Sequence, residues 1–180
     1  VVTHWFNPPH VIPLVEVVGG EATSAKTVET ACRLLEGIGK MAVRVNRELP
    51  GFLVNRIQVA MMREVWDLLD RGVASAEDID RAVRGSMGLR LAAIGPLAVT
   101  DYAGWDVTTT TYDNLLPSMK IDRELPDTIR RLLDNEHYGA KSGQGVYDYP
   151  VDELPSRLAE RDRTYLQLVR LLHSHGDPAE

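Results

Sequence analysis

His4 and Glu16 have the types and surroundings that proton transfer requires. Glu16 lies within Leu14-Val15-Glu16-Val17-Val18, a run otherwise apolar, and a carboxylate inside such a strand is costly unless it is paired. His4 is the nearest titratable candidate for the pairing. A histidine held by a carboxylate is how a general base is oriented and tuned. Asn7 places an amide between the two. The plainer alternative for His4 is a hydrogen-bonded residue at a strand end.

Two strands must bring the pair together. Val1-Val2 reads as the end of a buried strand that delivers His4 to a loop, and Leu14–Val18 as a second strand. Pro8, Pro9 and Pro13 stiffen the crossing between them and rule out a helix there. After Gly19-Gly20, Thr23 or Ser24 caps a helix carrying Val28, Ala31, Leu35 and Ile38 at helical spacing. Gly39 stops that helix, and Met41–Val45 forms a third strand. Residues 1–46 therefore read β–loop–β–α–β, part of an α/β sheet and too little for a whole doubly wound domain. The chain opens mid-pattern and without a methionine, so an upstream portion is expected. Strands deprived of such neighbours should be mobile, pair with another chain or pack irregularly.

From Pro50-Gly51 onward the pattern is helical. Phe52–Arg71 carries Leu53, Ile57, Met61, Val65 and Leu68 or Leu69 along one stripe, a core face that extends into a dimer contact. Ser75 caps the next helix, with Glu77 and Asp78 in its first turn. Ile79, Ala82 and Val83 face inward before Gly85 ends it. Gly88–Pro96 reads as a loop, followed by helices near 97–103, 106–116 and 127–135. Gly139–Gly145 is a tight turn, Gly145–Tyr149 is extended, and an amphipathic helix from Pro155 to about His173 closes the pattern.

Composition narrows the function classes. A net charge of −6 argues against nucleic-acid binding, which needs a basic face. No apolar run approaches the ~20 residues of a membrane span. Cys32 is the single cysteine, which excludes an intrachain disulfide and points to a reducing cytoplasm. His10, His137, His173 and His175 lack ligand spacing with carboxylates or Cys32, so no metal is expected.

An ordered set of motifs resembles one family. His4-x-x-Asn7-Pro8, Leu14-Val15-Glu16-Val17, Gly37-x-Gly39-Lys40 and Pro50-Gly51-Phe52-x-x-Asn55-Arg56 follow one another. Gly72-Val73-Ala74, Ile94-Gly95-Pro96, Asp101-Tyr102-Ala103-Gly104 and Lys141-Ser142-Gly143-x-Gly145-Val146-Tyr147 continue the series. From Val1 to about Tyr149 the chain resembles the 3-hydroxyacyl-CoA dehydrogenases, a family that includes lambda-crystallin-like L-gulonate and carnitine dehydrogenases. The resemblance implies a mostly α chain: residues 1–48 as the C-terminal remnant of a Rossmann NAD-binding domain, and 49–180 as a helical substrate and dimerisation domain. The second part would be of the 6-phosphogluconate-dehydrogenase C-terminal type and form a homodimer.

The implied reaction is NAD-dependent oxidation of the 3-hydroxyl of a 3-hydroxyacyl-CoA, with His4 as base and Glu16 as its partner. Asn7 and Asn55 would donate amide hydrogens to the substrate oxygen, binding alcohol and ketone alike without titrating. Asn7 would also border the cofactor. The plainer readings are a turn residue ahead of Pro8 for Asn7, and a polar first-turn residue for Asn55. Arg56 reads as structural or interdomain, and Lys141 as a solvated cation rather than a contact for an anionic substrate. Two departures matter. The glycine-rich strand–turn–helix that cradles dinucleotide phosphates is absent, so these 180 residues are not expected to bind NAD alone. Ile94-Gly95-Pro96, where acyl-CoA members commonly have Met-Gly-Pro, leans toward the relatives that take a free hydroxy acid or carnitine. The alternative from another class is an inactive helical dimerisation module.

Overall fold

The computed structural model describes residues 1–173. The described chain forms two compact units: Val1–Ala60 with Leu158–Leu171, and Met61–Arg157 with Leu172 and His173. It is mostly helical, with one small sheet.

In the first unit β1 (Val2–Trp5), β2 (Leu14–Val18) and β3 (Met41–Val45) form a sheet in that order. β2 is central, antiparallel to β1 and parallel to β3, as its apolar run requires. Alternation sends Val15 and Val17 to one face and Glu16 to the other. Helix α1 (Ala25–Gly37) covers the first face, closing a core of Val15, Val17, Cys32 and Leu35. Ser24 caps α1 by accepting the Thr27 amide, and Gly39, at φ 76°, ends it as expected.

Two expectations are corrected here. Val1 and Val2 are half exposed, and β1 runs on to Trp5, so His4 stands inside the ladder opposite Glu16. β1 pairs on one side only among the described residues. The ladder ends at Trp5, opposite Val15. The strands are also not irregular: all three pair in register, because α1 seals one face and the acid on the other is fully hydrogen-bonded.

Helix α2 (Val54–Asp70) buries no residue completely: Leu53 and Ile57 of its expected stripe are exposed, while Met61, Val65, Leu68 and Leu69 are half-buried. In the second unit α3 (Ala76–Val83) is capped by Ser75 and buries Ile79, whereas Ala82 is exposed. The expected stop at Gly85 and the loop at 88–96 do not occur. A π-helical turn over Arg84–Gly88 leads directly into α4 (Leu89–Ala103). A side chain at Gly88 would stand 3.2 Å from the Val83 carbonyl oxygen, a tight contact that the turn would have to relieve by a few tenths of an ångström. α4 kinks at Gly95 (φ 75°, ψ 164°), where Pro96 supplies no amide hydrogen. Then come α5 (Trp105–Leu115), α6 (Asp127–Asp134) and α7 (Leu154–His173), most of which belongs to the first unit. Residues 139–145 form the expected tight turn, in which Gly145 approaches Gly139 too closely for a side chain. Gly145–Tyr149 makes no strand, only an isolated bridge from Gln144 to Asp148 beside it. No described helix is long and apolar enough to cross a membrane.

Candidate active site

The ladder sets His4 directly across from Glu16, and the His4 Nδ1 lies 2.7 Å from Glu16 Oε2. Glu16 is fully buried, while 28% of the His4 side chain stays accessible. The second carboxylate oxygen is equally committed. Oε1 accepts the backbone N–H groups of Leu53 (3.0 Å) and Val54 (2.9 Å). These amides open α2, where unpaired N–H groups and the helix dipole favour an anion. Burial pushes the Glu16 pKa up, but the bonds from His4, Val54 and Leu53 outweigh it and leave the carboxyl below its ordinary value. Glu16 is therefore an anion that accepts. It fixes the His4 proton on Nδ1 and leaves the Nε2 lone pair for another proton.

Two phenyl rings hold the imidazole edge-on, Phe6 at 4.7 Å and Phe52 at 5.5 Å between centroids. Phe52 follows Gly51 in the left-handed region (φ 47° and 81°), the bend that turns the next two amides onto Glu16. The loop after β1 is pinned by Lys40, whose Nζ donates to the carbonyls of Pro9 (2.6 Å) and Ile12 (3.0 Å). The same ammonium stands 5.4 Å from the Trp5 ring centroid.

His4 and Glu16 are thus joined directly. Asn7 is exposed two residues beyond β1, and Asn55 is exposed in the first turn of α2, next to the Val54 amide. Neither side-chain amide has a hydrogen-bond partner among the described residues. Arg56 donates to the Pro50 carbonyl (3.1 Å), a structural role. Lys141 faces the Tyr138 ring at 5.4 Å. His10 is exposed, 3.8 Å from Asp162. No metal-holding cluster occurs among the described residues, and His175 lies outside them. Sequence reasoning missed Lys40, the two phenyl neighbours and the helix amides. Only the Gly-x-Gly-Lys run hinted at the first, and main-chain partners leave no trace in residue types.

A cavity of about 740 Å³ lies where β2 and β3 end, lined by Gly19, Gly20, Asn46, Arg47 and the 48–52 linker. The carboxyl ends of parallel strands are where dinucleotides rest. Among the described residues no strand–glycine-turn–helix is present to hold a pyrophosphate, so they do not by themselves fit a whole NAD.

Residues 51–149 match the family model described as 3-hydroxyacyl-CoA dehydrogenase, C-terminal domain, and residues 1–49 match that family's NAD binding domain. The chain is 36% identical to 5-formyl-3-hydroxy-2-methylpyridine 4-carboxylate 5-dehydrogenase of Mesorhizobium japonicum, over 94% of this chain and 55% of the relative. It is 36% identical to L-carnitine dehydrogenase of Streptomyces coelicolor, over 94% and 53%. A crystal structure of the former kind of enzyme, described as an NAD+ dependent dismutase, superposes with a TM-score of 0.90, at 36% identity over 95% of this chain and 55% of that one. The chain spans about half the length of these relatives. With both of its domain models matched in order, the chain belongs to the 3-hydroxyacyl-CoA dehydrogenase family of NAD-dependent oxidoreductases.

Proposed function

We propose that this chain is the substrate-side portion of an NAD-dependent dehydrogenase acting on the hydroxyl of a hydroxy acid, with His4 as the general base. Residues 1–48 are the C-terminal part of the dinucleotide-binding domain, and 49–180 the helical substrate and dimerisation domain. The observation that carries this reading is the 2.7 Å contact between His4 Nδ1 and a buried, anionic Glu16. His4 Nε2 takes the hydroxyl proton as the carbon is oxidised, and Glu16 stabilises the imidazolium that results. Asn7 and Asn55 hold the substrate oxygen through their side-chain N–H groups. In the whole protein NAD accepts the hydride. The isolated chain is inactive, lacking the phosphate cradle. The compartment we assign is the cytoplasm, in keeping with Cys32 as a free, buried thiol.

Two substrates fit this chemistry. The family description favours a 3-hydroxyacyl-CoA, oxidised to the 3-oxoacyl-CoA. A substrate that is not a CoA thioester is favoured by relatives that align along 94% of the chain, one named for a formylpyridine carboxylate and another for carnitine. We take the free acid as the stronger reading, supported also by Ile94 ahead of Gly95-Pro96. NADH formation by the whole protein, assayed in parallel with 3-hydroxybutyryl-CoA and with carnitine and free hydroxy acids, decides between them. Turnover of the thioester alone would reverse the preference. Full activity in His4→Gln would remove the base from the account.

A further inference from the structure

The linker between β3 and α2 holds a strained residue. Leu49-Pro50-Gly51-Phe52 is a turn closed by the Phe52 N–H, which donates to the Leu49 carbonyl (2.9 Å). Proline in its second place and glycine at φ 81° in its third are what such a turn calls for. Phe52 then follows at φ 47°, in the left-handed region, where a Cβ crowds the backbone and glycine is the residue at ease. The other described non-glycine residue at positive φ, Glu136, lies just past the end of α6, an ordinary place for one. Phe52 stands ahead of a helix instead, and it carries a large ring.

Side chain and backbone of this residue meet the same catalytic pair. The Phe52 ring centroid lies 5.5 Å from that of His4, at an interplanar angle of 62°. The Phe52 backbone sends the next two amides, of Leu53 and Val54, onto Glu16 Oε1 (3.0 and 2.9 Å). Phe6 meets the imidazole in the same way, at 4.7 Å and 64°, but lies on another segment, one residue past β1. Relaxing Phe52 to a right-handed backbone would draw its ring from His4 and the two amides from Glu16. The strain is thus held in place by both sets of contacts at once.

We infer that Phe52 is a positioning residue for proton transfer: its ring, lodged against His4, keeps the left-handed bend that holds the α2 amides on Glu16, so acid and imidazole are fixed together. A smaller side chain with a Cβ loses the contact that offsets the bend. The residue then reverts to a right-handed backbone, Leu53 and Val54 swing away, and Glu16 keeps fewer donors to hold it as an anion. Glycine at the same place keeps the bend without needing the ring. The two contributions are therefore separable. Phe52→Ala removes both, Phe52→Gly removes only the ring contact, and Phe6→Leu removes a ring while leaving the bend. The kinetic part of this inference rests on His4 being the base. The coupling of ring to bend does not, since it is a property of the packing within the first unit.

Amide hydrogen exchange and steady-state kinetics of the whole protein test it together. In Phe52→Ala the Leu53 and Val54 amides should exchange about tenfold faster than in the unaltered protein. Its kcat should fall by roughly 10²-fold with KM nearly unchanged. In Phe52→Gly those amides should stay protected, although glycine is ordinarily the looser residue, while kcat still falls. Phe6→Leu should lower kcat and leave exchange at Leu53 and Val54 as it was. Equal exchange in the alanine and glycine variants, or an unchanged kcat in Phe52→Ala, would overturn the inference. Should Phe52→Ala not fold, Phe52→Leu takes its place in the comparison with glycine. Exchange at Leu53 and Val54 as slow in that variant as in the unaltered protein would overturn it equally. Full activity in His4→Gln together with freed amides in Phe52→Ala would strike the base assignment and leave the coupling of ring to bend standing.

Discussion

At the scale of single residues, the case rests on what each oxygen of Glu16 does. One accepts from His4 and the other from two helix amides, so replacing the acid removes three hydrogen bonds at once. Glu16→Ala should cost roughly 3–5 kcal/mol, read from urea unfolding, because it strands buried donors. Glu16→Gln keeps the volume but leaves an amide N–H facing either the His4 ring or the α2 amides. It should lower kcat of the whole protein while retaining the fold. His4→Gln should lower kcat by about 10²–10⁴-fold with smaller effect on KM. Stability should respond to acid in a definite direction. The folded carboxyl lies below its ordinary 4.5, so the unfolded chain takes the proton first. The stabilisation from Glu16 is therefore complete above that ordinary value and is lost as pH falls through the lowered one. A Glu16→Gln variant should show a flatter acid limb in urea midpoint against pH. Residue types alone pointed to this pairing, since a lone acid in an apolar strand needs a partner and His4 was the nearest one. They were silent on Leu53 and Val54, whose contribution is main-chain.

At the scale of elements, local chemistry was legible wherever the determinant lay within one turn. Ser24 and Ser75 cap α1 and α3 through their hydroxyls, and Ser75→Ala should cost about 1 kcal/mol in thermal or urea unfolding. The misreading at 85–96 has the opposite origin. Gly85, Gly88 and Gly95-Pro96 look like breakers, yet the first two lie in continuous helix and only the last pair bends it. Gly95 stands at φ 75° and ψ 164°, a region nearly reserved for glycine, so Gly95→Ala should destabilise by about 1–3 kcal/mol. The Lys40 clamp belongs to this scale too, since it ties the start of β3 to the loop that carries Asn7. Lys40→Met should raise KM more than it lowers kcat in the whole protein. The effect should largely vanish in an Asn7→Ala background, and additive losses would show that the lysine acts otherwise.

At the scale of the whole molecule, the chain holds one part of a reaction centre. The acid–imidazole pair is complete within residues 1–60, whereas no segment among the described residues is built to hold a pyrophosphate. Calorimetric titration of the chain with NAD should show no binding in the micromolar range, and a micromolar Kd would mean that the cavity at the ends of β2 and β3 holds the dinucleotide unaided. The large exposed surface of α4 and α5 belongs to this scale as well, because a face is called core or interface only once its cover is known.

The amino-acid order by itself determined the partnership of His4 with Glu16, the capped helices, the three-strand beginning and the family. Each of these follows from alternation, near-neighbour hydrogen bonding or motif order, which short segments encode completely. Tertiary structure alone decided that His4 stands within the ladder, that α2 lends its first amides to Glu16, and that α3 runs through two glycines into α4. Those outcomes depend on main-chain groups meeting across 37 and 38 residues, and on a glycine's backbone taking the conformation its packing rewards. Neither is a property of the residue types involved.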